Sequence, residues 1–138
     1  MTAILVAEDD PGICDFLIDL LELEFAATVR CERTGSLALR AIETAGFDLA
    51  IIDVNMPEIS GYELARRAAD RNIPTLLSSG HPDANAKLQE LECPYLPKPY
   101  RVTDLIWELA KAITQASENI RRVKASLAKL EAIAEGLS

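Results

Sequence analysis

The sequence predicts an α/β fold, a doubly wound parallel sheet of five strands with helices on both faces. Short apolar runs alternate five times with segments of helical periodicity, and the connections between them are short. The apolar runs are continuous rather than alternating, which is typical of strands buried on both faces of a parallel sheet. With right-handed crossovers and strand order 2-1-3-4-5, the first and third strands lie side by side at the centre.

Each element follows from its own local pattern. The predicted strands cover residues 3–7, 27–31, 48–53, 73–78 and 94–97. The predicted helices carry apolar residues at helical spacing and cover residues 13–25, 36–45, 62–70, 83–90 and a last stretch from 103 onward. Asp10 before Pro11 suits the start of the first helix, Gly46 ends the second, and Thr103 can cap the last one.

The composition favours a globular domain, with 49% hydrophobic and 26% charged residues among 138. No apolar run approaches the roughly 20 residues that cross a bilayer, and the start of the chain does not read as a signal peptide. We therefore expect a cytoplasmic protein with no membrane partner. The net charge of −8 argues against a nucleic-acid surface. Because Cys14, Cys31 and Cys93 have no paired spacing, we expect all three to be free thiols.

Carboxylates end two strands that the predicted sheet order places side by side. Glu8 and Asp9 follow the first strand, and Asp53 ends the third. Three carboxylates this close repel one another unless a cation is bound, and Mg²⁺ is the expected cation. An aspartate in this position can accept a phosphoryl group. Ser79 and Lys98 follow the fourth and fifth strands, where a hydroxyl and an ammonium group would contact the phosphoryl oxygens.

These residues stand in motifs that resemble the receiver domain of the two-component response-regulator family, over about residues 3 to 115. The motifs are Ile4-Leu5-Val6-Ala7-Glu8-Asp9-Asp10, Asp53-Val54-Asn55-Met56-Pro57 with Gly61, Ser78-Ser79-Gly80 and Lys98-Pro99-Tyr100. The resemblance implies a flavodoxin-like fold and a phosphoryl group received from a histidine kinase or a histidine phosphotransfer protein. It implies a protein that assists its own phosphorylation and dephosphorylation, not an enzyme with a small-molecule substrate.

The resemblance also implies roles for individual residues. Asp53 would be the phosphoacceptor, and Lys98 would contact its phosphoryl group. Glu8, Asp9 and Asp53 would bind Mg²⁺ together with the backbone carbonyl group of Asn55.

The remaining implied roles concern switching and the lifetime of the phosphoryl group. Ser79 would follow the phosphoryl group, and the rotamer of Tyr95 would report the switch. Asn55 and His81 occupy positions that tune the lifetime, although a plain turn residue is the alternative for His81. The Lys98-Pro99 bond is a candidate for a cis peptide. The short span from Ser79 to Lys98 predicts a shortened fourth helix.

An apolar seam continues the last helix beyond the expected receiver domain. We therefore divide the chain into a receiver domain, residues 1–115, and a helical, coiled-coil extension, residues 116–138. The seam steps by three and four over roughly four heptads through Ile106, Leu109, Ile113, Ala116, Ile120, Val123, Leu127, Leu130, Ala134 and Leu137. With no further domain to cover it, a homodimer through Ile120, Val123, Leu127 and Leu130 is expected; a partner helix or an amphipathic tail are the alternatives.

Two other functions are weighed against the receiver. A phosphatase with an aspartyl nucleophile would need a separate general acid, and Asn55 stands where that acid would be wanted. A dimerisation module that is not phosphorylated would not need Asp53, Lys98 and the acidic pair.

Overall fold

A computed structural model of the chain describes residues 2–136. The strands are β1 Ala3–Ala7, β2 Thr28–Glu32, β3 Leu49–Asp53, β4 Thr75–Ser79 and β5 Tyr95–Pro97. The helices are α1 Pro11–Phe25, α2 Gly35–Thr44, α3 Gly61–Asp70, α4 Pro82–Glu90, α5 Val102–Thr114 and α6 Ala116–Ala134. The strands form one parallel sheet in the order β2-β1-β3-β4-β5, which confirms the predicted topology.

The sheet separates two hydrophobic layers. Every residue of β3 and β4 is buried, as their continuous apolar runs predict. Helices α1 and α5 cover one face, and α2, α3 and α4 cover the other. Within residues 2–136, no helix combines the length and the hydropathy that crossing a bilayer requires.

Helix α1 has the cap residue that the sequence predicted, whereas α5 does not. Asp10 caps α1 as predicted, and its carboxylate accepts hydrogen bonds from the backbone N–H groups of Gly12 (2.8 Å) and Ile13 (3.2 Å). Thr103 does not cap α5, because the helix begins one residue earlier, at Val102, with Arg101 at the cap position. The predicted short fourth helix is present as the nine residues of α4.

The extended C-terminal helix is present, but it is divided into α5 and α6. Gln115 interrupts it with φ −119° and ψ 47°, which is not helical. The break lets α6 leave the direction of α5 and cross to the other face of the sheet. There Val123 and Leu127 join the core that α2, α3 and α4 form.

The inference that nothing within the chain can bury the seam is therefore wrong. Val123 is 0% exposed and Leu127 is 4% exposed, while Ile120 and Leu130 pack half-buried against the same core. The physical reason is the short α4, which buries only Leu88 and leaves room on this face for another helix. Leu137, the last residue of the predicted seam, lies outside the described residues.

Polar contacts fix α6 at three points. The side-chain amide of Asn119 accepts a hydrogen bond from the Thr75 N–H group (2.7 Å) and donates one to the Thr75 carbonyl oxygen (3.0 Å). Ser126 Oγ donates to the carbonyl oxygen of Leu91, just after α4, at 3.2 Å. An ion pair of 3.4 Å joins α6 to α3 through Glu131 and Arg66. Helix α6 is thus attached at the start of β4, at the end of α4 and to α3.

The expectation of three free thiols is also wrong. Cys14 and Cys31 form a disulfide, with Cα atoms 6.1 Å apart, and Cys93 remains free and buried. The pair is separated by 17 residues in sequence, and it meets because α1 folds back beside β2. Burial raises the pKa of Cys93 to about 11, so this thiol stays protonated near neutral pH.

We predict that Leu127→Ala lowers the free energy of unfolding by about 2–5 kcal/mol, because it opens a cavity in the core. The contact lies within one chain, so the loss should be the same at low and high protein concentration. Urea unfolding at two concentrations measures both points. Ile133→Ala is the control, because this side chain of α6 is 48% exposed. A loss that depends on concentration, or one as small as the control's, would contradict the intramolecular packing.

Candidate functional site

The predicted site residues lie at one edge of the sheet. Glu8 and Asp9 follow β1, Asp53 ends β3, Ser79 ends β4 and Lys98 follows β5. The carboxyl ends of parallel strands meet at the same edge, which is where open α/β sheets bind their ligands. The backbone N–H group of Lys98 donates to the carbonyl oxygen of Ser79 at 2.7 Å, so these two strand ends are in direct contact.

Three carboxylates form a cluster at this edge. Glu8, Asp9 and Asp53 each offer an oxygen, and these oxygens lie within 4.8 Å of one another. Glu8 and Asp53 are buried, whereas Asp9 is exposed. A set of hard oxygen donors with one side open to water fits Mg²⁺, which usually keeps several waters as ligands.

Lys98 bridges the two buried carboxylates. Its Nζ donates to Glu8 Oε1 at 2.6 Å and to Asp53 Oδ2 at 2.8 Å. Burial raises the pKa of Glu8 above its usual range, against the opposing effect of the Lys98 ammonium. Burial also lowers the pKa of Lys98, but its hydrogen bonds to Asp53 and Glu8 outweigh that effect and raise it. The ammonium therefore remains charged and balances part of the negative charge.

The loop after β3 holds Asp53 in place. The Asn55 N–H group donates to Asp53 Oδ1 at 2.9 Å, and the Gly61 N–H group donates to the Val54 carbonyl oxygen at 3.0 Å. A Cβ atom at Gly61 would overlap the backbone of Asp53 and Val54. Glycine is thus the residue that lets α3 start this close to the acidic cluster. The side chain of Asn55 is exposed beside the cluster.

Ser79 and Tyr95 differ in burial. Ser79 is fully buried, and its Oγ accepts a hydrogen bond from the His81 N–H group at 3.1 Å. Tyr95 is half-buried against the core that includes α3 and α6. His81 is exposed, and its side chain makes no capping hydrogen bond to α4. The Lys98-Pro99 peptide bond is cis, as the sequence suggested.

Cys14 is a neighbour of the site that sequence reasoning missed. Its Sγ lies 3.2 Å from the carbonyl oxygen of Glu8. The N–H group of Glu8 donates to the carbonyl oxygen of Glu32 at the end of β2, at 3.1 Å. The sequence signal for this contact is the short connection, since the first turn of α1 begins two residues after Asp9.

A scan against protein-family models matches the response regulator receiver domain over residues 4–110. The response regulator receiver protein CpdR of Brucella abortus is 32% identical over 124 residues, which cover 84% of this chain and 100% of CpdR. The heme response regulator HssR of Staphylococcus saprophyticus is 29% identical over 124 residues, which cover 87% of this chain and 55% of HssR. The chain spans about half the length of the first curated relatives that it matches.

Solved structures show the same fold. The crystal structure of the response regulator TrrA from Thermotoga maritima, in complex with Mg²⁺ and BeF, matches with a TM-score of 0.70 and 27% identity. The match covers 80% of this chain and 98% of TrrA. A CheY-like receiver domain from Methanospirillum hungatei matches with a TM-score of 0.74 and 24% identity, over 86% of this chain and 98% of that one. The chain therefore belongs to the response regulator receiver domain family.

Proposed function

We propose that the chain accepts a phosphoryl group on Asp53 from a histidine kinase or a histidine phosphotransfer protein, with Mg²⁺ as its cofactor. The observation that carries the proposal is the bridge from Lys98 Nζ to Glu8 and Asp53, beside the exposed Asp9. A carboxylate beside a fixed positive charge, with further carboxylate oxygens able to bind a cation, supports a nucleophilic role for Asp53. The protein would act in the cytoplasm through protein contacts and would be a phosphoacceptor rather than an enzyme.

Each residue of the site would have a separate role in the proposed phosphoryl transfer. An Asp53 oxygen attacks the phosphorus of the phosphohistidine, forming the new O–P bond as the N–P bond breaks, and the electron pair returns to the histidine ring. Lys98 is then free to pair with the phosphoryl oxygens, because Asp53 has become an acyl phosphate. Glu8, Asp9, Asp53 and the Asn55 carbonyl group would hold Mg²⁺, which neutralises charge on the phosphoryl group when bound.

The switch would pass through the loop after β4. Among residues 2–136, the hydrogen bond of Ser79 Oγ is the one that it accepts from the N–H group of His81. Its hydroxyl hydrogen would therefore be available to a phosphoryl oxygen. Movement of Ser79 toward that oxygen would shift the start of α4, and Tyr95 would turn with it. Asn55 and His81 would set how readily water reaches the phosphoryl group.

A homodimer through the C-terminal helix also belongs to this proposal, with one added requirement. Val123 and Leu127 are buried within their own chain, so a seam that uses them forms only after α6 leaves its position. Phosphorylation would drive the release of α6 from its own chain. Helix α6 is anchored at Thr75 and Leu91, the two ends of the segment that contains Ser79.

We predict that Asp53→Asn abolishes phosphorylation, because an amide cannot act as the nucleophile. Intact-mass spectrometry after incubation with acetyl phosphate and Mg²⁺ measures the incorporation. Asp70→Asn, at the exposed end of α3, is the matched control and should incorporate phosphate like the wild type. Incorporation by Asp53→Asn at the wild-type rate would place the acceptor elsewhere.

We predict that Lys98→Met binds Mg²⁺ about tenfold more tightly than the wild type, a gain of about 1.4 kcal/mol. The ammonium group and the cation compete for the same carboxylate oxygens, so removal of the ammonium group favours the cation. Isothermal titration calorimetry gives the two affinities. Lys129→Met, on the exposed side of α6, serves as the control. An affinity equal to or weaker than the wild type's would show that Lys98 and Mg²⁺ do not compete.

We predict that the full chain is a monomer alone and a dimer with Mg²⁺ and beryllofluoride, as measured by size-exclusion chromatography with light scattering. The reason is that the seam becomes available only when the switch releases α6. Asp53→Asn should remain monomeric under both conditions. A dimer without the phosphoryl mimic would contradict the release of α6, and a monomer under every condition would overturn the homodimer.

A further inference from the structure

The two segments that the disulfide joins both contact the backbone of Glu8. The Glu8 N–H group bonds to Glu32, the neighbour of Cys31 in β2, and the Glu8 carbonyl oxygen lies 3.2 Å from Cys14 Sγ. The covalent bond therefore joins the two segments that support this residue, β2 and the first turn of α1. Glu8 is one of the proposed Mg²⁺ ligands, so the bond acts on the metal site through its backbone.

The position of β2 makes this support important. It is one of the two edge strands of the sheet and, within residues 2–136, pairs with β1 alone, with Cys31 opposite Val6. Without the bond, packing alone holds α1 against β2 in the part of the chain that the structure describes. The connection between β1 and α1 keeps its hydrogen bonds to Glu32 (3.1 Å) and Arg33 (3.4 Å). Two of the carboxylates proposed to bind Mg²⁺ lie on this short connection. A covalent link reduces the number of conformations open to this connection and so favours the one that presents both carboxylates.

Cys31 is the more accessible of the two disulfide residues. Cys14 is 4% exposed, whereas Cys31 is half-buried at the sheet edge. A thiolate from a low-molecular-weight thiol such as glutathione attacks Cys31 Sγ, and the Cys14 sulfur leaves and takes up a proton. A second thiol then attacks the mixed disulfide, which releases glutathione disulfide and the Cys31 thiol. The cycle transfers two electrons, and oxidation by glutathione disulfide is its reverse.

We propose that Cys14 and Cys31 form a reversible thiol–disulfide site whose oxidation tightens the binding of Mg²⁺ by Glu8, Asp9 and Asp53. The proposal rests on the proposed function for the Mg²⁺ site and for its cytoplasmic setting, where disulfides are usually transient and redox-sensing. Its chemical partner is a small thiol and the corresponding disulfide. Cys93 takes no part, because it is buried in the core on the other face of the sheet.

The test measures the coupling from both directions on the full chain. Isothermal titration calorimetry should show Mg²⁺ binding about fivefold or more weaker after reduction with dithiothreitol. Because coupling between two binding equilibria is reciprocal, Mg²⁺ should shift the equilibrium with glutathione toward the disulfide by the same factor. Mass spectrometry after trapping with iodoacetamide counts the free thiols and requires no phosphorylation.

Three variants serve as controls. Cys93→Ala should behave like the wild type in both measurements. Cys31→Ser should bind Mg²⁺ like the reduced wild type, whether or not reductant is present. Asp9→Asn should still form the disulfide, but Mg²⁺ should no longer shift the equilibrium with glutathione.

The outcomes separate this proposal from the proposed function. Equal Mg²⁺ affinity in the oxidised and reduced chains would overturn the coupling and leave the Mg²⁺ site standing. The absence of Mg²⁺ binding in both states would overturn the metal site and the coupling together. If Cys14 and Cys31 both remain alkylated in oxidising glutathione, the thiol–disulfide site itself is overturned.

Discussion

Mutual repulsion among Glu8, Asp9 and Asp53 is the constraint around which the rest of the molecule is arranged. Two of these carboxylates are buried at the end of a parallel sheet, where an isolated negative charge would be strongly disfavoured. Lys98 relieves the repulsion in the absence of a cation, because its ammonium group contacts both buried carboxylates. The sheet order is what allows this contact, since it brings the carboxyl ends of β1, β3 and β5 to one edge. The site therefore depends on the topology as much as on its own residues.

The sheet and the acidic cluster could both be predicted from the sequence, for the same physical reason. Strands buried on both faces leave continuous apolar runs, and a carboxylate that ends such a run stands out. Asp53 ends such a run and Glu8 follows one. The alternation of strands and helices predicted the parallel sheet, and the order 2-1-3-4-5 was supported by the resemblance to receiver domains. The roles assigned to Ser79, Tyr95, Asn55 and His81 rest on resemblance, and they remain proposals.

The parts that were predicted wrongly depend on contacts between distant segments. Helical periodicity runs through Gln115 without a glycine or proline, so nothing in the pattern marked the break between α5 and α6. The apolar stripe on α6 was expected to be buried, and Val123 and Leu127 are, but a pattern does not reveal which surface buries it. The disulfide between Cys14 and Cys31 was not predicted either, because their separation in sequence is not typical of a disulfide.

Asn119 has a consequence for how α6 finds its place. Its amide bonds both backbone groups of Thr75, so the side chain imitates a peptide unit of a neighbouring strand. Apolar residues that recur every three or four positions would allow a helix to dock one turn higher or lower at little cost. A displaced α6 would leave a buried amide and two backbone groups without partners, at a cost of several kcal/mol in all, roughly 1–3 for each group. Asn119 thus selects a single alignment of the apolar face of α6 on the core, much as a buried asparagine fixes the register of a coiled coil.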